Sequence, residues 1–244
     1  MSDFWIVVFI AALSAFLTYL GAPLAELFEV PHRVVSGALQ FAAGVIAALV
    51  FITLMPPVVR HGDLFGVALA FFVGGAIFVF FEYFSARRQA AKPAQEDANP
   101  ISLGLYIGIL VDLVVDGIVI GIGATLTLGT GIALALGMAV STLPLAFVTI
   151  STAKKQGIAK SKRQVLSILF FVCVMAGALL GYLVLRDMPA ATRMLLIALA
   201  SGFLITTVTQ SMIPEANKEG EPSFAGVFFV GGMSIYALLS LVLK

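Results

Sequence analysis

Charged residues are confined to short intervals of this chain. Between them lie eight apolar runs: Phe4 to Leu24, Val34 to Met55, Leu64 to Phe84, Ile101 to Leu128, Gly131 to Ile150, Val165 to Leu185, Met194 to Ile213, and Phe224 to Leu243. Crossing about 30 Å of hydrocarbon takes ~20 helical residues, and each run is about that long. The runs lack the polar alternation of a membrane barrel strand, so helices are the predicted spanning elements. Of 244 residues, 61% are hydrophobic and 11% charged, against about 45–50% and about 25% in soluble domains. Such a composition excludes a soluble enzyme, a nucleic-acid binder and a disordered chain. The expected class is an all-α polytopic membrane protein whose partner is the lipid bilayer, with no enzymatic activity and no cofactor. A net charge of +1 implies no bulk electrostatic partner, and Cys173 alone builds neither a disulfide framework nor a Cys-rich zinc module.

The opening Met-Ser-Asp-Phe-Trp carries an acid and no base, so the first run is expected to be retained as a span. Intervals after odd-numbered runs hold ten basic residues: Arg33, Arg87, Arg88, Lys92, Lys154, Lys155, Lys160, Lys162, Arg163 and Lys218. The other side holds four, Arg60, Arg186, Arg193 and Lys244. By the positive-inside rule the first side is cytoplasmic and both termini are outside. Residues 85–100, with two prolines and mixed charge, are expected to be a mobile cytoplasmic loop.

Two internal matches point to a repeat. Phe71 to Gly75 and Phe228 to Gly232 both read FFVGG, an offset of 157. Ala42-Ala43-Gly44 with Pro56 answers Ala200-Ser201-Gly202 with Pro214, an offset of 158. The second and third helices thus match the seventh and eighth. The two units start on opposite sides of the membrane, so the predicted order is an inverted 3+2+3 repeat. Its parts are 1–84, a central pair over 101–152, and 164–244. Inverted repeats are a transporter signature, with the substrate site near the midplane.

Of the 13 acids, Glu82, Asp112 and Asp116 fall within apolar runs. Asp112 and Asp116 are spaced i,i+4 and project from one helix face, ~5–6 Å apart at Cβ. Each carboxylate at the bilayer centre costs about 2.5–3.5 kcal/mol on insertion scales. A cation or proton site repays that cost, whereas a protonated pair bonding between helices is the structural alternative. Gly104 and Gly108 continue the four-residue ladder and are expected to pack this face closely. Further oxygen donors are Ser141 and Thr142 before Pro144, and Thr206, Thr207, Thr209, Gln210 and Ser211 before Pro214. A helix-interior Pro displaces the carbonyl four residues earlier, freeing the oxygens of Val140 and Gln210. Gln210, read as a buried amide, demands several partners. His32 and His61 lie at opposite faces and cannot share a metal, and Cys173 is expected to be core packing.

These residues resemble the ZIP (Zrt-, Irt-like protein) metal-ion transporters over nearly the whole chain. Gln40 to Val45, QFAAGV, is similar to the family's glycine-containing second helix. Asp112-Leu-Val-Val-Asp116-Gly117 stands in the place of the fourth-helix HNxPEG motif. Thr209-Gln-Ser-Met-Ile-Pro-Glu215-Ala resembles the seventh-helix segment ending in IPE, and Glu82-Tyr83-Phe84 the acid near the cytoplasmic end of the third helix. The resemblance implies eight helices in an inverted 3+2+3 arrangement with both termini outside. It also implies metal ligands at Asp112 and Asp116, where the family has His and Glu, while Leu113 replaces an Asn ligand. In the fifth helix only Pro144 survives of the motif, and Leu145 stands for its Glu. Val174 stands for a sixth-helix acid and Gln210-Ser211 for a His-Glu pair. The family's His-rich cytoplasmic loop is absent.

The expected function is ZIP-like inward transport of a divalent cation through one site of Asp112, Asp116, Ser141, Thr142 and Gln210. Glu82 marks the cytoplasmic exit, reached as one repeat rocks against the central helices. An all-oxygen set suits Mn²⁺, Mg²⁺ or Ca²⁺ better than zinc. The alternative is a vestigial site in a protein that moves protons or another solute, or that serves as a non-transporting membrane partner. The expected location is a bacterial inner (cell) membrane, with a homodimer as a candidate assembly.

Overall fold

A computed structural model describes residues 2–90, 103–218 and 224–242. The described residues are helical, without a strand, and eight helices are long and apolar enough to cross a membrane. They are α1 (Ser2–Leu27), α2 (His32–Ala48, continuing through Leu49–Leu54 and Met55–His61), α3 (Leu64–Ala90), α4 (Leu103–Leu126) and α5 (Leu128–Lys155). After these come α6 (Lys160–Leu185), α7 (Ala190–Thr207, continuing through Val208–Met212 and Ile213–Ala216) and α8 (Ala225–Val242). The expected loop is shorter than the sequence suggests. Residues 85–90 extend α3, because nothing before Pro93 stops a helix, and the rest of the expected loop lies outside the described residues.

Local chemistry sets the turns. Thr127 caps α5, its hydroxyl accepting from the Thr130 amide at 3.0 Å. Asp63 Oδ2 accepts from the Gly66 amide at 2.8 Å and starts α3. Gly157, at φ 74°, ends α5 in a left-handed turn. The Ile158 amide reaches the Ala153 carbonyl at 3.1 Å, the Gly157 amide reaches that of Lys154 at 3.0 Å, and Ile158 packs on Ala153. Beside this turn, Arg163 of α6 forks onto Glu26 of α1, Nε to Oε1 at 2.5 Å and Nη2 to Oε2 at 2.9 Å.

Four close pairs carry the packing: α1 with α5, α4 with α6, α2 with α8, and α3 with α7. Contacts of α1 with α6 and of α4 with α5 join the first two pairs into a four-helix group, while α2 and α7 join the other two. Glycines make the seams. A Cβ on Gly44 would overlap the Phe229 carbonyl oxygen, and one on Gly232 would overlap that of Phe41. In the other pair Gly202 meets the Phe71 carbonyl and Gly74 that of Leu199. Each of these four positions in α2 and α3 has its counterpart 158 residues later, so Gly74, not Gly75, answers Gly232. The FFVGG match at 157 is therefore one residue out of the packing register. Backbones this close exchange side-chain volume for extended van der Waals contact, which associates helices where lipid removes the hydrophobic drive.

On α4 the close seam lies elsewhere than Gly108. A Cβ on Gly108 would only touch the Phe81 ring at 4.0 Å, and the Gly104 side is outside the described side chains. Gly117 and Gly121 instead press on the Val174 and Ala178 carbonyls of α6, answered by Gly177 and Gly181 on those of Val114 and Ile118. They sit just beyond Asp116.

Both α2 and α7 carry a π-helical segment, Leu49–Leu54 and Val208–Met212, just before Pro56 and Pro214. There the Met55 amide reaches back five residues to Val50, and the Ile213 amide to Val208. A proline cannot donate to the ladder, and one inserted residue absorbs the mismatch without a sharp kink.

Candidate functional site

The acidic pair of α4 is buried as a unit, Asp112 at 7% exposure and Asp116 at 1%. Asp112 lies against α7: Thr207 Oγ1 donates to its Oδ1 at 3.0 Å. Thr207 is the last residue before the π segment, so the carboxylate meets α7 where the helical register changes. Both oxygens of Asp116 are buried with no hydrogen-bond partner among the described residues, as is Ser201 Oγ of α7. An ionised carboxylate without partners in a low-dielectric interior costs several kcal/mol, on the order of the Born penalty after relaxation. Two of them one turn apart also repel each other strongly at low dielectric. The arrangement therefore favours a bound cation or proton.

The remaining expected members divide. Ser141 is fully buried, its Oγ donating to the Met138 carbonyl at 2.8 Å. Thr142 bonds the same carbonyl at 2.8 Å and meets Thr18 Oγ1 of α1 at 2.6 Å, so it serves the α1–α5 seam. Neither hydrogen-bonds to the acidic pair among the described residues. Gln210 corrects the expectation of a buried amide: it is exposed, because the π segment turns it away from the face that carries Thr207. Glu82 is exposed on α3. It follows Phe81 in the chain, whose ring approaches Gly108 one turn before Asp112. His61 is exposed, with Nδ1 3.0 Å from the Pro57 carbonyl, and Cys173 packs half-buried against the core.

Thr207 is the residue that sequence reasoning left unselected among five polar candidates on α7. The available signal was the pair of prolines at matched positions, which marks both irregular segments. Among the described residues no group of three or more His, Cys, Asp and Glu could hold a metal, so any cation here relies on two carboxylates plus neutral oxygens. A scan of protein-family models finds no match for this chain, and a search of curated proteins finds no significant one.

Proposed function

We propose that the chain is a ZIP-like secondary transporter that carries a divalent cation toward the cytoplasm through one site on α4. The observation that carries this reading is Asp116, buried in an apolar spanning helix beside a second acid, with no hydrogen-bond partner for either carboxylate oxygen among the described residues. An ionised pair in that place is costly by itself, and a cation supplies what is missing. The inverted 3+2+3 arrangement is supported by the pairing of helices. Exchanging α1, α2 and α3 with α6, α7 and α8, and α4 with α5, turns the pairs α1/α5 and α2/α8 into α6/α4 and α7/α3. The glycine seams at a spacing of 158 and the two π segments before Pro56 and Pro214 fit the same exchange.

In this reading the cation enters from outside and sheds water against Asp112, Asp116 and Thr207. Backbone carbonyls loosened beside the π segment add neutral oxygens. It leaves toward Glu82. The resident set is oxygen only and suits Mn²⁺ or Mg²⁺. The absence of a third acidic, His or Cys group among the described residues favours the second reading, a proton pathway on the same pair.

The deciding experiment is Mn²⁺ uptake into proteoliposomes with and without an imposed proton gradient. Transport by the wild type that the double substitution Asp112→Asn, Asp116→Asn abolishes supports the cation reading. Proton flux without Mn²⁺ uptake supports the second. Undiminished uptake by the double variant removes the site from α4.

A further inference from the structure

A cavity opens at the C-terminal end of α4, independent of the acidic pair. About 350 Å³ in volume, it lies between the start of α1 (Ile6, Val7), the end of α4 (Ala124, Thr125), Leu128, the end of α6 (Tyr182, Arg186) and Arg193 of α7. No acidic side chain lines it. Arg186 closes α6, where a cation is favoured by the carbonyl end of the helix. Its Nε meets Asp187 at 3.1 Å, and its guanidinium stands 6.0 Å from the Tyr182 ring centre.

Arg193 is placed differently. It sits in the first turn of α7, the end where backbone amides already concentrate positive charge, so the helix opposes it. Its Nε is buried with no hydrogen-bond partner, and no ion pair reaches it among the described residues. A desolvated guanidinium nitrogen in an electropositive place, facing a cavity with a second arginine, is satisfied by an anion. Every lining residue lies within about two turns of the end of a helix long and apolar enough to span a membrane. Part of the wall is aliphatic, Tyr182 lines it, and Trp5, next to Ile6 in the chain, is exposed, an aromatic pairing typical of membrane–water boundaries.

We propose that this cavity binds a phosphate group, with Arg193 and Arg186 as its ligands, and that the source is an anionic phospholipid seated between α1, α4, α6 and α7. Arginine forks match phosphate geometry, and basic pockets between spanning helices hold lipid headgroups. The aliphatic wall takes the first carbons of the acyl chains.

The test is thermal unfolding of the purified full chain in a neutral detergent, with phosphatidylglycerol, phosphatidylcholine of the same acyl chains, or inorganic phosphate added. Because a ligand of the native state raises the unfolding temperature, phosphatidylglycerol should stabilise by several degrees more than phosphatidylcholine. Arg193→Gln should remove most of that difference and Arg193→Lys should keep most of it. Arg186→Gln, at a half-exposed side chain that the fold does not need, gives the same readout where Arg193→Gln does not fold. Stabilisation by inorganic phosphate that either Gln variant abolishes supports the phosphate site and assigns it a soluble source. Equal effects of the two lipids, or a phosphatidylglycerol effect that survives both Gln variants, overturns the proposal.

Discussion

Thr207 Oγ1 of α7 lies 3.0 Å from Asp112 Oδ1 of α4 and 3.2 Å from the carbonyl of Phe203 in its own helix. A hydroxyl has one hydrogen to donate, so these acceptors are alternatives. In the proposed transport cycle a cation at Asp112 would free the hydroxyl to turn to Phe203 and offer its lone pairs to the ion.

Replacing Thr207 tests that exchange. Thr207→Ser retains the hydroxyl and should leave uptake within a few-fold of wild type. Thr207→Val keeps the shape and removes the oxygen. One neutral oxygen donor to the ion is then lost, so Mn²⁺ affinity should fall several-fold, the fall being tempered because the hydrogen bond to Asp112 is made only in the ion-free site. Initial rates against Mn²⁺ concentration separate the two variants, and equal kinetics would remove Thr207 from the site.

Asp116→Asn should fold at least as stably as wild type in the absence of divalent ions, because a neutral amide is cheaper to bury than an unpartnered carboxylate. The same variant should lose any stabilisation by Mn²⁺. Thermal melts with and without the ion read both effects. A large loss of stability in the ion-free protein would mean that Asp116 has a structural partner.

The metal preference follows from the donor atoms. Asp112→His introduces an imidazole nitrogen, a favoured zinc ligand, and should raise Zn²⁺ affinity more than Mn²⁺ affinity in competition titrations. Tight zinc binding by wild type that the substitution leaves unchanged would refute the oxygen-only site.

The seams predict a sharp contrast among glycines. Gly44→Val and Gly202→Val must push apart backbones in contact, and overpacking of this kind costs about 1–3 kcal/mol or more. Gly226→Ala and Gly231→Ala, with no atom within 4 Å of an added Cβ, should be neutral or slightly stabilising. Unfolding temperatures of the four variants in one detergent give the comparison, and equal effects would mean that the seams are not tight.

Orientation is testable in a Cys173→Ala background. A cysteine placed between Lys154 and Lys160 should resist an impermeant outside reagent in intact cells, and one beside Lys244 should react. The reverse pattern inverts the direction assigned to transport.

What was legible in the sequence follows from desolvation. Hydrocarbon forbids unpaired backbone and most charge, so the eight runs and the isolated Asp112–Asp116 pair stood out without any knowledge of packing. The spacing of 158 was legible because Gly44 and Gly202 each precede a proline by twelve residues. Which face of α7 met α4 was not legible. Gln210 stands out in sequence as an amide that would need several partners if buried, but the π segment leaves it exposed, while Thr207, one of five polar residues before Pro214, is the one that meets Asp112. Gly108 and Gly117 look alike in sequence. Only the neighbour decides, a flexible ring at one and the α6 backbone at the other.

The glycine seams also limit how the molecule can divide. The seams at Gly44 and Gly232 and at Gly74 and Gly202 each lock a helix of the first three to a helix of the last three, carbonyl against Cα, and neither helix can slide without parting its partner. The first and last thirds of the chain are therefore stitched together rather than free to swing as separate levers. The boundary between the α1, α4, α5, α6 group and the α2, α3, α7, α8 group is crossed by the Thr207–Asp112 hydrogen bond and by α5, where Gly137 leaves room for Leu49 of α2 and Tyr236 of α8.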